Sequence, residues 1–266
     1  MCVPNRCYSS ARRDRVRVWG LALLLTIVPA AADAAASAPT ADGLLRAVFD
    51  NWRARNSAVE ITMTIHRPDW QRSLTMLAST EGDEKALVRF TAPAEDAGNA
   101  LLKVGEDTWL YNPRLNQVIS LPSSMLYRSW MGSDFSYDDL SKANDILTRY
   151  AHRIVKVERE GDHTAYTVEA IPKPGAPVVW GKRTEKIRDD GVMLAETWYD
   201  QDMRPVRHMV TDRVAPLGGR MYPVVMSMQT LGEPGKWTRI VATSGRFNTP
   251  LPDYLFTVSN LRNRRD

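Results

Sequence analysis

Residues 59–66 read Val59-Glu60-Ile61-Thr62-Met63-Thr64-Ile65-His66. Apolar and polar side chains alternate, so Val59, Ile61, Met63 and Ile65 face one way and Glu60, Thr62, Thr64 and His66 the other. That is the pattern of a strand buried on one face. Upstream the period is helical. Thr40 is placed to cap a helix over residues 41–55, with Leu44, Leu45, Val48, Phe49 and Trp52 as its apolar stripe and Arg46, Asp50, Arg53 and Arg55 turned to water. Downstream the alternation recurs between turn residues, over 72–79, 85–91, 99–104, 108–111 and 117–121. It returns over 152–160, 164–171, 181–188, 193–199, 205–211, 222–230 and 237–244. Between the two sets, residues 123–144 break the rhythm with irregular apolar residues and with Ser and Asp suited to capping short helices.

One helix followed by such a series predicts a mainly β (α+β) fold. The expected form is a strongly curved antiparallel sheet of about eleven strands, an open half-barrel. The N-terminal helix and the short helices of 123–144 would cover its concave face. Its inward residues, rich in Met, Val, Ile, Leu, Trp and Tyr, either fill a core or leave an apolar cavity that suits an acyl chain.

The 266-residue chain is 44% hydrophobic and 25% charged, values of an ordinary globular protein, not of a disordered chain or a multi-pass membrane protein. Its net charge of +4 does not argue for nucleic acid, because the first 34 residues hold five of the basic residues and two of the acidic ones, leaving +1 for the rest. Those 34 residues have the layout of a signal peptide: arginines up to Arg17, the apolar run 18–28, then small residues with an Ala32-Asp33-Ala34 cleavage site. Cleavage near Ala34-Ala35 would leave a domain of residues 35–266 in the periplasm. It would also remove Cys2 and Cys7, so neither a disulfide nor a cysteine metal site is expected.

Sequence motifs for hydrolases, metalloproteases and nucleotide binding are absent, and no cofactor or metal is expected. His66, His152, His163 and His208 lack ligand spacing and read as polar residues on solvated strand faces. Asp134, Asp138 and Asp139 form the densest acidic group. They could serve acid–base chemistry, but Asp134 and Asp138 read better as helix caps. The mixed charges of 182–190 read as a solvated strand edge.

Three stretches carry a resemblance. They are Gly105-Glu106-Asp107-Thr108-Trp109-Leu110-Tyr111-Asn112-Pro113, the segment Trp130-Met131-Gly132-Ser133-Asp134-Phe135-Ser136-Tyr137-Asp138-Asp139-Leu140, and the ending Arg246-Phe247-Asn248 with Leu251-Pro252-Asp253-Tyr254-Leu255-Phe256. Together they resemble the outer-membrane lipoprotein-sorting family with its LolA-like fold, in a longer branch associated with transport systems. The resemblance implies a non-catalytic periplasmic carrier that binds a lipid or lipoprotein acyl chain and assists its transfer toward the outer membrane. An inner-membrane transporter is a possible partner. No residue matches the classical carrier's cavity arginine, so carriage of a lipid is better supported than carriage of lipoproteins. The alternatives are an adaptor that docks to a transporter without holding lipid, and a hydrolase using two of the three aspartates. On the carrier reading, residues 123–144 form a lid, with Met125, Leu126, Trp130, Met131 and Phe135 meeting the ligand. Trp109 and Tyr111, on one face of one strand, are the next candidates.

Overall fold

The computed structural model describes residues 38–263, so the expected signal segment and both cysteines lie outside the described residues. Helix α1 (Ala41–Arg53) starts where Thr40 accepts a hydrogen bond from the Gly43 amide at 3.0 Å, and it stops at Ala54, whose φ of 52° leaves helical geometry. Replacing Thr40 by Ala should lower stability by about 1 kcal/mol, read from the denaturant midpoint, while Ser should preserve it. Leu44, Leu45, Val48 and Phe49 are buried as the stripe requires. Arg53, expected in water, is also buried. Its Nε and Nη2 donate to the carbonyls of Gly82 and Lys85 at 3.0 and 2.8 Å, which fastens the end of α1 to the next turn of the sheet.

The strands are β1 (Asn56–Arg67), β2 (Trp70–Glu81), β3 (Lys85–Ala92), β4 (Ala100–Val104), β5 (Asp107–Asn112) and β6 (Gln117–Ser120), then β7 (Tyr150–Glu160), β8 (His163–Pro172), β9 (Lys182–Arg188), β10 (Met193–Tyr199), β11 (Pro205–Leu217), β12 (Arg220–Thr230) and β13 (Trp237–Phe247). They form one open sheet of 13 strands, all neighbours antiparallel. About eleven strands were expected and the sheet has 13, one for each of the alternating stretches of the sequence. Two meanders meet where β1 pairs with β13, and β6 and β7 are the free edges.

The curvature follows from two short elements. Helix α1 touches β1 and also β7, which is seven strands away, about 34 Å in a flat sheet. A 13-residue helix is only about 20 Å long. On the other side, Asp139 bonds Arg207 of β11, and Ser141, two residues on, bonds Thr108 of β5. Those strands are likewise seven apart, so the sheet must curl around both elements.

The convex side is covered too. Beyond β13, a 3-10 turn (Asp253–Phe256) and helix α4 (Val258–Arg262) lay Phe256 and Leu261 against Leu87, Ala100 and Leu102. Arg89, buried on the same side of β3, donates to the Asn260 carbonyl at 3.0 Å. This explains why β3 is buried on both faces through Ala86-Leu87-Val88-Arg89-Phe90.

Candidate functional site

The concave side holds a cavity of about 300 Å³, at the small end for a ligand site. One wall, from β1 to β4, is lined by Ile61, Ala78, Val88 and Leu101; the other presents Met193, Met209, Met226 and Met228. Helix α1 adds Leu45, Val48, Phe49 and Trp52. The segment 123–144 contains helix α2 (Tyr137–Ser141) and is followed by helix α3 (Asp145–Arg149). The loop 177–180 contributes Trp180.

Of the residues singled out in the sequence, Trp130 and Phe135 line this cavity. Trp130 is buried and packs its ring 5.5 Å from that of Phe90. Met131, at φ 57°, packs against the neighbouring cluster around Met63 and Leu74. Met125 ends a 3-10 turn (Ser123–Met125), and Leu126 is buried within the same segment, its carbonyl accepting from the Asp138 amide at 2.8 Å; neither is in the lining. Trp109 and Tyr111 do share one face of β5, but they belong to the convex cluster with Phe256 and Leu261, outside the cavity. The C-terminal segment creates that second buried face.

A hydrogen-bonded latch fixes the segment 123–144. Ser136 caps α2, its Oγ accepting from the Asp139 amide at 3.3 Å, while Asp139 accepts in return from the Ser136 amide at 2.7 Å. Asp139 also takes two hydrogen bonds from Arg207, at 2.8 and 2.7 Å, and the guanidinium lies between the rings of Trp180 and Trp198. Burial alone would raise the Asp139 carboxyl; Arg207 and Ser136 outweigh it and hold the group below the usual carboxylate range. Asp134, expected as a cap, instead accepts from Thr238, Thr230 and Arg67 at 2.6, 3.0 and 3.1 Å. Asp138, also expected as a cap, lies within the first turn of α2, where Ser136 is the cap. Burial raises its carboxyl.

The charge run 182–190 departs most from expectation. Arg183 and Glu185 point into the cavity wall, with Glu185 5% exposed. Glu196 of β10 stands directly opposite Glu185 in the ladder. Arg183 donates from Nε to Glu196 at 2.6 Å and also pairs with it through Nη2. Burial works against the Arg183 charge, but Glu196 and then Glu185 keep it firmly protonated. The missed signal was parity: Arg183, Glu185 and Ile187 share a face, and Ile187 is fully buried.

Nor is His152 solvated. Its side chain is 2% exposed, within hydrogen-bond distance of Asp42 at 2.5 Å and of the Ile146 carbonyl at 2.6 Å, tying α1 to α3.

A family described as "-like: Uncharacterized protein" matches residues 82–263. The chain belongs to that family. No curated protein matches it. Among solved structures it is similar to a DUF1329 family protein from Desulfovibrio piger, with a TM-score of 0.73 and 22% identity over 84% of this chain and 100% of the other. It is also similar to a domain assigned to outer membrane lipoprotein sorting from Vibrio parahaemolyticus (TM-score 0.70, 21% identity, 84% of this chain and 98% of the other). A LolA superfamily protein from Nitrosomonas europaea gives a TM-score of 0.68 at 21% identity, covering 84% of this chain and 99% of the other. The fold is therefore LolA-like, as the three sequence stretches imply.

Proposed function

We propose that the protein is a periplasmic carrier that holds the acyl chain of a lipid or lipoprotein in the concave cavity and assists its transfer toward the outer membrane. The observation that carries this reading is the cavity: it is walled by aliphatic, methionine and aromatic side chains and roofed by a latched lid. Each methylene moved from water into such a lining gains about 0.8 kcal/mol, so a handful of them offsets the ordering of a flexible chain. Methionine adapts to chains of different shape, and the wall from β10 to β12 presents four. Transfer then requires the lid to open toward an acceptor, with no covalent step. A signal peptide over residues 1–34 and an inner-membrane transporter partner complete the proposal.

Native mass spectrometry of protein purified from periplasm without detergent, followed by lipid extraction, tests it. A stoichiometric lipid adduct is expected. Replacing Ala78 by Phe places a ring in the lining and should reduce occupancy about tenfold while the circular dichroism spectrum and melting cooperativity are retained. A clean apo mass, unchanged after incubation with lipids and acylated peptides, would sink the carrier reading and favour the adaptor.

A further inference from the structure

Glu185 stands apart on the sheet wall of the cavity. Three neighbouring carboxylates have committed donors: Asp139 is held by Arg207, Asp145 by Arg149 at 3.0 Å, and Glu196 by Arg183, while Asp138, on the lid helix, has only Lys142 at 3.8 Å and a buried Oδ1 without a hydrogen bond. Glu185 lines the cavity and is 5% exposed, yet it makes no hydrogen bond among the described residues. Its one ionic contact is Arg183 Nη2 at 3.7 Å, beyond hydrogen-bond distance, and that nitrogen already serves Glu196. A polar group buried without a partner is expensive to maintain, and a carboxyl facing a second carboxyl across the ladder doubly so. The indole N–H of Trp52, in the same lining, is buried without an acceptor.

We propose that Glu185 is the specificity-determining residue of the cavity: as a neutral acid it donates a hydrogen bond to an uncharged acceptor oxygen at the head of the bound chain, and it discriminates against anionic amphiphiles. This rests on the carrier reading. Burial, and then the facing Glu196, push the Glu185 carboxyl up to about 8, so near pH 7 it keeps its proton and has an O–H to give. Arg183 and Glu196 cancel, which leaves the station uncharged in that state. An anionic head would be stripped of water against a wall that offers it no uncommitted cation, since Arg183 already serves Glu196. The other titratable groups of the lining are Arg53 on α1, Tyr150 on β7, Tyr222 on β12, and Asp138, Asp139, Lys142 and Asp145 around the lid. Above about pH 8 Glu185 loses its proton, becomes an acceptor only, and should release the carbonyl.

The test is displacement of a neutral apolar fluorophore, phenylnaphthylamine, from delipidated protein. The competitors are monopalmitoylglycerol, hexadecanesulfonate and hexadecyltrimethylammonium, whose head groups do not titrate in the range used. Wild type should bind the glycerol ester about tenfold more tightly than the sulfonate near pH 6.5, and should lose about tenfold in ester affinity near pH 9. Glu185→Gln, whose amide still donates, should keep ester affinity at both values. Glu185→Leu should show the weaker affinity at both, each competitor being scored against the fluorophore's own affinity for that variant. Equal ester affinity in wild type and Glu185→Leu overturns the proposal, as does tightest binding of the quaternary ammonium near pH 6.5. Failure of the fluorophore to bind any form overturns the carrier reading itself, and this proposal with it.

Discussion

Replacing Arg207 by Met should lower stability by about 3–5 kcal/mol, read from equilibrium chemical denaturation at neutral pH. The guanidinium is 7% exposed as part of its residue, donates twice to Asp139 and once to the Asp134 carbonyl at 3.1 Å, and stacks on Trp180 and Trp198. Methionine recovers the packing between the rings but leaves Asp139 without its cation. The second half of a double-mutant cycle then follows. Asp139→Leu with Arg207→Met removes both charges, so the pair should lose much less than the sum of the single changes. Because the latch ties α2 to β11, hydrogen exchange should quicken over residues 126–141 before it does in β1 or β12. The pH sign is fixed by Asp139: its folded pKa is depressed, so the latch contributes fully above the unfolded carboxylate pKa and is lost as acid protonates the folded group, below about pH 4. A stability change under about 1 kcal/mol would mean that the latch does not hold the lid.

How much of this was legible depends on what each residue's neighbours along the chain can say. At Val59–Ile65 the parity of the side chains and the layer they face are both local, because Met63 and Ile65 leave no doubt about the buried side. The capping box Ser136-x-x-Asp139 is local too, though Asp134 and Asp138 were the residues read as caps. Trp109 and Tyr111 show the limit. Their shared face was correct, but the layer against it is built by Phe256 and Leu261, about 150 residues later, which no pattern within β5 can announce. The uninterrupted apolar stretch Ala86-Leu87-Val88 hinted that this half of the sheet is covered on both sides. The charges of 182–190 fail for a related reason. Sign says nothing about which face a strand residue occupies; only the parity of Arg183 and Glu185 with Ile187 does, and the partner carboxyl Glu196, opposite Glu185, comes from another strand. Arg207, the other half of the latch, stands 68 residues from Asp139 and had no local mark.

Glu185→Gln should stabilise the protein, and by an amount that grows with pH. In the unfolded chain the carboxyl titrates near its ordinary value of 4.5, whereas in the fold burial and the facing Glu196 raise it to about 8. Below about pH 4.5 both states hold the proton, and the substitution, which has nearly the shape and hydrogen-bonding capacity of the protonated acid, should change little. Between the two values the unfolded chain releases a proton that the folded chain retains, so the folded state is progressively disfavoured; above about pH 8 the difference levels off. Glutamine has nothing to release. The gain should therefore rise from near zero in mild acid to a plateau of about 2–4 kcal/mol at and above pH 8, well under the full linkage value because Glu185 and Glu196 titrate as a pair. Glu196 is raised by burial as well, and because the two carboxyls are coupled the substitution also relieves Glu196, which is why the plateau stands below the full linkage value. Denaturation curves for the two proteins at a series of pH values, in the absence of lipid, give the answer independently of any cargo. A difference that is flat with pH would place Glu185 in a solvated setting with an ordinary pKa. A glutamine variant that is less stable throughout would mean that the ionised form is held by Arg183 after all, and the cavity wall would then carry a fixed negative charge where an uncharged head group is expected.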